Sequence, residues 1–139
     1  MRFVDNPLES RLQPLVGLWQ IESRSSESGR KAISRTVIAL RDGELHIDGG
    51  TFFAVAADGG KGDPIGTWNV EMAVSDGRRL KYFYTLTDGL ANSSTWRGLV
   101  EAALQDDSDE QIFHGTWQVL GKDFHVGVIT MKKQGRVQG

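Results

Sequence analysis

The chain contains no cysteine. Disulfide staples and thiolate-held metals are therefore excluded, and the composition fits a reducing, cytoplasmic setting. Long apolar runs are missing too: none approaches the roughly 18 residues of a membrane-spanning helix. The opening stretch, "MRFVDNPLESRLQ", lacks the apolar segment of a signal peptide. Neither sign of charge prevails, since 16 Lys and Arg stand against 18 Asp and Glu for a formal net charge of −2. That balance provides no broad basic field for a DNA or RNA polymer. Signatures of catalysis are also absent: there is no G-x-S-x-G elbow, no HExxH pair and no phosphate-cradling P-loop. His46, His114 and His125 do not have metal-ligand spacing, and no pair of carboxylates is placed for acid–base work. The expectation is a protein that is not an enzyme, with no cofactor and no metal.

Proline is scarce and glycine is not, with three of the first and 17 of the second in 139 residues. This is the balance of many strands joined by tight turns, in a chain long enough for one domain with its own core. "NPLESRLQPL" predicts one short helix, with Asn6 as N-cap, Pro7 at the first helical position, and Glu9 reaching back. Leu8, Leu12 and Leu15 share a face of it, and Pro14 ends or distorts it. Such a turn would plug the end of a barrel. Eight strand-like segments follow: Leu18–Ser25, Arg35–Arg41, Glu44–Ala57, Gly66–Ser75, Arg79–Leu86, Thr95–Gln105, Gln111–Leu120 and Phe124–Met131. Asp42-Gly43 and Asp76-Gly77 suit tight hairpins. Gly49-Gly50, inside a strand pattern, marks a bulge or sharp bend. The acid run "DDSDE" at Asp106–Glu110 reads as a solvated hairpin tip.

"GLWQIE" at Gly17, "GTWNVE" at Gly66 and "GTWQVL" at Gly115 are near-copies spaced 49 residues apart. The length does not supply enough copies for a propeller, so the likeness reads as recurring hairpin logic. A period of two assigns sides within each strand. Trp19 and Ile21 oppose Gln20 and Glu22. Trp68, Val70, Met72 and Val74 oppose Asn69, Glu71 and Ser75. Leu80, Tyr82, Tyr84 and Leu86 oppose Lys81 and Thr85. Trp96, Gly98 and Val100 oppose Arg97 and Glu101, and Phe113, Gly115 and Trp117 oppose His114 and Gln118. All four tryptophans fall on the inner face, each two residues from a glycine that leaves space there. Antiparallel alternation without helices to cover a second face predicts an all-β fold: an eight-stranded antiparallel up-and-down β-barrel with a short N-terminal helix. A sandwich is the alternative. Residues 1–16 form the helix and linker, 17–133 the ligand-binding barrel, and 134–139 a disordered tail.

Inside such a barrel Trp19, Trp68, Tyr82, Tyr84, Trp96 and Trp117 are candidate wall residues for a flat, ring-bearing ligand, with Ser23 as a polar handle. The plainer alternative is that the rings fill the core. Basic residues near strand ends, among them Arg24, Arg35, Arg78 and Arg97, are candidates to meet phosphate at a barrel mouth.

A short helix and then G-x-W opening the first strand is similar to the lipocalin and avidin-like barrels, although neither a long C-terminal helix nor a T-D-Y motif is visible. A second likeness covers more of the chain, from about Leu15 to Lys133. "PLVGLWQIES", "GTWNVEMAVSDGRRLKYFYTLTD", "STWRGLVEAAL" and "FHGTWQVLGKDFHVGVITMKK" together resemble the cyclic-nucleotide-sensing β-barrel of bacterial anti-phage effectors. These are the two-transmembrane-helix, β-strand-rich effectors of CBASS-type defence. The resemblance implies a sensor that binds a cyclic di- or trinucleotide, self-associates as a homo-oligomer, and acts on a membrane through N-terminal helices that this chain lacks. On that reading the chain is the sensor part of a longer inner-membrane effector, or a free-standing barrel with a binding or sequestering role. A carrier of a small apolar ligand and a filled barrel that binds a protein partner are the other readings.

Overall fold

The computed structural model describes residues 11–88, 95–105, 111–121 and 126–135. Among the described residues nine strands appear in chain order: β1 Gly17–Ser25, β2 Lys31–Arg41, β3 Glu44–Ile47, β4 Gly50–Val55, β5 Lys61–Ser75, β6 Arg79–Asp88, β7 Thr95–Leu104, β8 Ile112–Val119 and β9 Val126–Gly135. Eight of them close into a ring in the order β1-β9-β8-β7-β6-β5-β4-β2, and β2 pairs back onto β1. Every ladder is antiparallel. This is the closed barrel that the alternation predicts, and β3 is an extra strand beside it. Closure leaves the wall without the two free edges that an open sheet would carry.

The extra strand arises where one long strand was expected over Glu44–Ala57. β3 pairs with the second half of β2, Ile47 facing Ile38, whereas β4 pairs with the first half, Phe52 facing Ser34. The break falls at Asp48-Gly49, where the Asp48 amide donates to the Val37 carbonyl at 3.0 Å. A Cβ on Gly49 would lie 1.8 Å from the Trp68 carbonyl oxygen. Only glycine lets the chain pass β5 so closely. β9 also runs two residues past the expected barrel limit of 133, to Gly135.

β5 corrects the parity reading. Its register with β6 slips between Val70 and Met72: Val70 faces Tyr84 but Met72 faces Phe83. Glu71 is the extra residue of a β-bulge, which reverses the side chains beyond it. Met72 and Val74, expected inside, are 61% and 55% exposed. Ala73 packs against the core instead.

The chain enters the barrel through a helical turn that ends as a 3-10 segment, Gln13–Leu15, with Pro14 inside it. Asn6, Pro7, Leu8 and Glu9 lie outside the described residues. The turn plugs one end. Leu12 and Leu15 are buried in the same cluster as Trp19, Ile38, Leu80, Phe113 and Met131. Burying each such side chain contributes about 1.5–3 kcal/mol. The Trp19 indole N–H donates to the Leu15 carbonyl at 2.7 Å, and Lys133 Nζ donates to the Pro14 carbonyl at 2.7 Å. Trp19 and Phe113 rings meet with centroids 5.6 Å apart. The interior at this end is filled.

A ring-lined cavity at the open end

The opposite end holds the β1–β2 turn, the β4–β5 turn and the outer ends of β6 to β9. Between them lies a cavity of about 540 Å³, within the roughly 300–1,000 Å³ of small-molecule sites. Its wall is built from reciprocal pairs of glycine and ring across neighbouring strands. Gly50 faces Trp68 and Phe52 faces Gly66, so Gly-x-Phe on β4 runs antiparallel to Gly-x-Trp on β5. Tyr84 faces Gly98, and Trp117 faces Gly127. A Cβ on Gly98 would lie 2.1 Å from Tyr84 Cζ, and one on Gly127 would lie 2.5 Å from the Trp117 ring. Each ring therefore lies over the bare backbone of its neighbour, where no other residue would leave room.

Polar contacts hold the rings in place. Trp68 Nε1 donates to Ser34 Oγ at 2.8 Å, and Ser34 Oγ donates onward to the Thr51 carbonyl at 2.8 Å. Tyr82 stacks on Trp68 with centroids 6.3 Å apart and planes 26° from parallel. Tyr84 meets Tyr82 edge-on at 6.4 Å, and its hydroxyl donates to the Gln118 carbonyl at 3.4 Å. Among the described residues Trp117 Nε1 is a buried donor without a partner. Burial pushes the Tyr84 hydroxyl up to about 12. Tyr82 is pushed higher still, by burial first and then by its neighbour Tyr84. Both phenols are neutral throughout the physiological range, because an apolar surrounding disfavours the phenolate.

The cavity gathers Trp68, Tyr82, Tyr84, Trp96 and Trp117 of the six rings expected on the wall. Trp19 is not among them, for it lies fully buried in the plugged end. None of the four expected arginines lines the cavity. Arg24 and Arg35 are exposed on the outer face of β1 and β2. Arg97 points outward to Glu71, with Nη2 3.4 Å from Oε1. Arg78 belongs to the β5–β6 hairpin, whose Gly77 packs against Arg11 beside the plug. Among the described residues the cation that does reach the cavity is Arg30, accompanied by Glu27, Ser25 and Ser28 of the same turn. The available signal for Arg30 was slight, namely its place in a Ser-Gly-Arg-Lys turn. Phe52 was readable in principle, since it follows Gly50 at the same two-residue step as three of the four tryptophans follow their glycines.

His114 lies on the outer face, bonded to Gln105 and Thr130, and His125 lies outside the described residues. Among the described residues no cluster of acids and histidines is arranged to hold a metal ion, and no helix is long and apolar enough to cross a membrane. Fold and cavity together define the class: a closed antiparallel β-barrel, plugged at one end and hollow at the other. No protein-family model matches the chain, and no curated protein matches it in sequence.

Proposed function

We propose that this protein is a binding protein that takes one small, flat, mostly apolar molecule into the open half of its barrel. One observation carries the reading. The same interior that is packed solid around Trp19 and Phe113 opens into a cavity of about 540 Å³. Protein interiors keep few voids larger than a water molecule, so a chamber of this size is a feature of use rather than of packing. Its apolar, ring-bearing lining suits a ligand that is itself ring-bearing.

A cyclic dinucleotide is the second reading, favoured by the rings, since stacking a base on an aromatic face contributes about 1–3 kcal/mol. Charge places it second. Such a ligand brings two negative charges, while among the described residues the charged lining groups are Arg30 and Glu27, whose charges cancel.

Thermal melting followed by circular dichroism separates the two. 1-Anilinonaphthalene-8-sulfonate, a naphthalene-based probe with a single sulfonate charge, is expected to raise the midpoint with one-to-one stoichiometry, adding about 2.7 kcal/mol at 100 times its Kd. Cyclic di- and trinucleotides should shift it less. No shift with the naphthalene probe would remove the proposal. A larger shift with a cyclic nucleotide would put the sensor reading first.

A further inference from the structure

The distribution of polar groups in the cavity narrows the ligand class, given the reading above. Along the floor and wall several polar groups are already engaged, whereas the Trp117 indole N–H has no partner among the described residues. Trp68 gives its N–H to Ser34, Ser34 gives its hydroxyl to Thr51, and Tyr84 gives its hydroxyl to Gln118. Tyr82 differs. It lines the cavity and is 2% exposed, yet its hydroxyl makes no hydrogen bond to any described residue. The hydroxyl opens onto the cavity, where a ligand group can bond to it. It is a neutral phenol, so the group that complements it is a neutral acceptor or hydroxyl.

Among the described residues, formal charge is confined to the rim. Glu27 and Arg30 are the ionisable described lining residues apart from the two tyrosines, and both sit in the β1–β2 turn. The deeper wall offers a charged ligand group no counter-ion, and desolvating it there would be expensive. Between the two rim charges, Arg30 is the better anchored. Its amide donates to Ser28 Oγ at 3.2 Å, and its carbonyl accepts from the Ser25 amide at 2.9 Å. Glu27 stands at the tip of the turn, where its backbone has no such anchorage. Tyr82 lies four residues below Leu86 on β6, about 13 Å along the strand, so the two polar ends of the ligand are separated by a body of fused rings.

We propose that the cavity is built for an amphipathic planar aromatic molecule whose neutral hydroxyl or carbonyl end bonds to Tyr82 Oη at depth and whose single anionic end pairs with Arg30 at the mouth.

Calorimetric titration of the full chain with 6-hydroxy-2-naphthoate, 2-naphthoate and 2-naphthol tests it, since the last two each lack one polar end. On the wild-type protein each truncated ligand should bind about five- to tenfold more weakly than the parent. In Tyr82→Phe the preference for 6-hydroxy-2-naphthoate over 2-naphthoate should vanish. In Arg30→Gln its preference over 2-naphthol should vanish, while Glu27→Gln should bind no more weakly than wild type. Tyr82→Phe removes a hydroxyl that no described residue uses, so the variant should keep its circular-dichroism spectrum and melting point. Binding of all three ligands with these preferences unchanged in the variants would overturn the assignment and leave the ring-lined binding protein standing. Loss of affinity in Glu27→Gln but not in Arg30→Gln would overturn the anionic end. Failure of all three to bind would overturn both proposals.

Discussion

Glycine and aromatic ring are partners in this wall, but not along the same strand. Residues two apart on a strand are separated by about 6.5 Å, whereas cross-strand partners stand about 4.5–5.5 Å apart. The space above a glycine is therefore filled from the neighbouring strand. Phe52 covers Gly66, and Tyr84 covers Gly98. The Gly-x-Trp spacing still carries information, because a glycine and a ring on each of two antiparallel strands interlock in only one register. Gly98→Ala tests this directly. Its new methyl would fall 2.1 Å from Tyr84 Cζ, and displacing the ring should cost about 1–3 kcal/mol in urea unfolding. Tyr84→Leu in the same chain should recover part of that loss, since the two sites are coupled through one contact. Equal and additive losses would mean that the ring does not depend on the glycine.

Among the elements, β5 shows how one residue redirects a strand. Beyond the Glu71 bulge every side chain changes face, and Met72 and Val74 emerge where alternation placed them inside. Glu71 itself is held on the outer surface, accepting from Thr85 Oγ1 at 3.0 Å and pairing with Arg97 at 3.4 Å. Those contacts join β5, β6 and β7 across the outside of the bulge. A bulge leaves almost no local signature, because it depends on what two other strands present to it. The fully buried Ile38 provides the contrast. Met72→Ser should change stability by less than about 0.5 kcal/mol, and Ile38→Ala should cost about 2–5 kcal/mol. Chemical denaturation measures both, and a Met72 loss as large as that at Ile38 would restore the unbroken alternation.

Considered whole, the molecule is filled at one end and hollow at the other, and its two cavity phenols couple folding to alkaline pH. Unfolded tyrosine titrates near 10, whereas folded Tyr84 is held to about 12 and Tyr82 is raised further by burial. Below pH 10 both states keep their protons and the protein has its full stability. Above it the unfolded chain alone loses protons, so stability falls as pH rises from 10 towards 12. For Tyr84 the loss is on the order of 2 kcal/mol. Urea midpoints measured from pH 8 to pH 12 should decline over that window, and the decline should be shallower in Tyr82→Phe. A midpoint that stays level would show that the phenols are not sealed from water. The contrast with Arg97 is instructive: it pairs with Glu71 on the exposed surface, and salt screening leaves such a pair little influence on stability.

Alternation along each strand, read from the sequence, determined which side chains face inward except beyond the β5 bulge, and Asp42-Gly43 and Asp76-Gly77 marked where two of the hairpins close. Those are short-range properties: a period of two is visible within five or six residues. The tertiary structure decided which inward residues share a height in the barrel. Trp19 was thereby assigned to the plug and Trp68, Tyr82, Tyr84, Trp96 and Trp117 to the chamber. It also decided that the arginine at the mouth is Arg30. Height around a closed barrel is set by the register of eight ladders added together, including one bulge in β5. No single stretch of chain contains that sum.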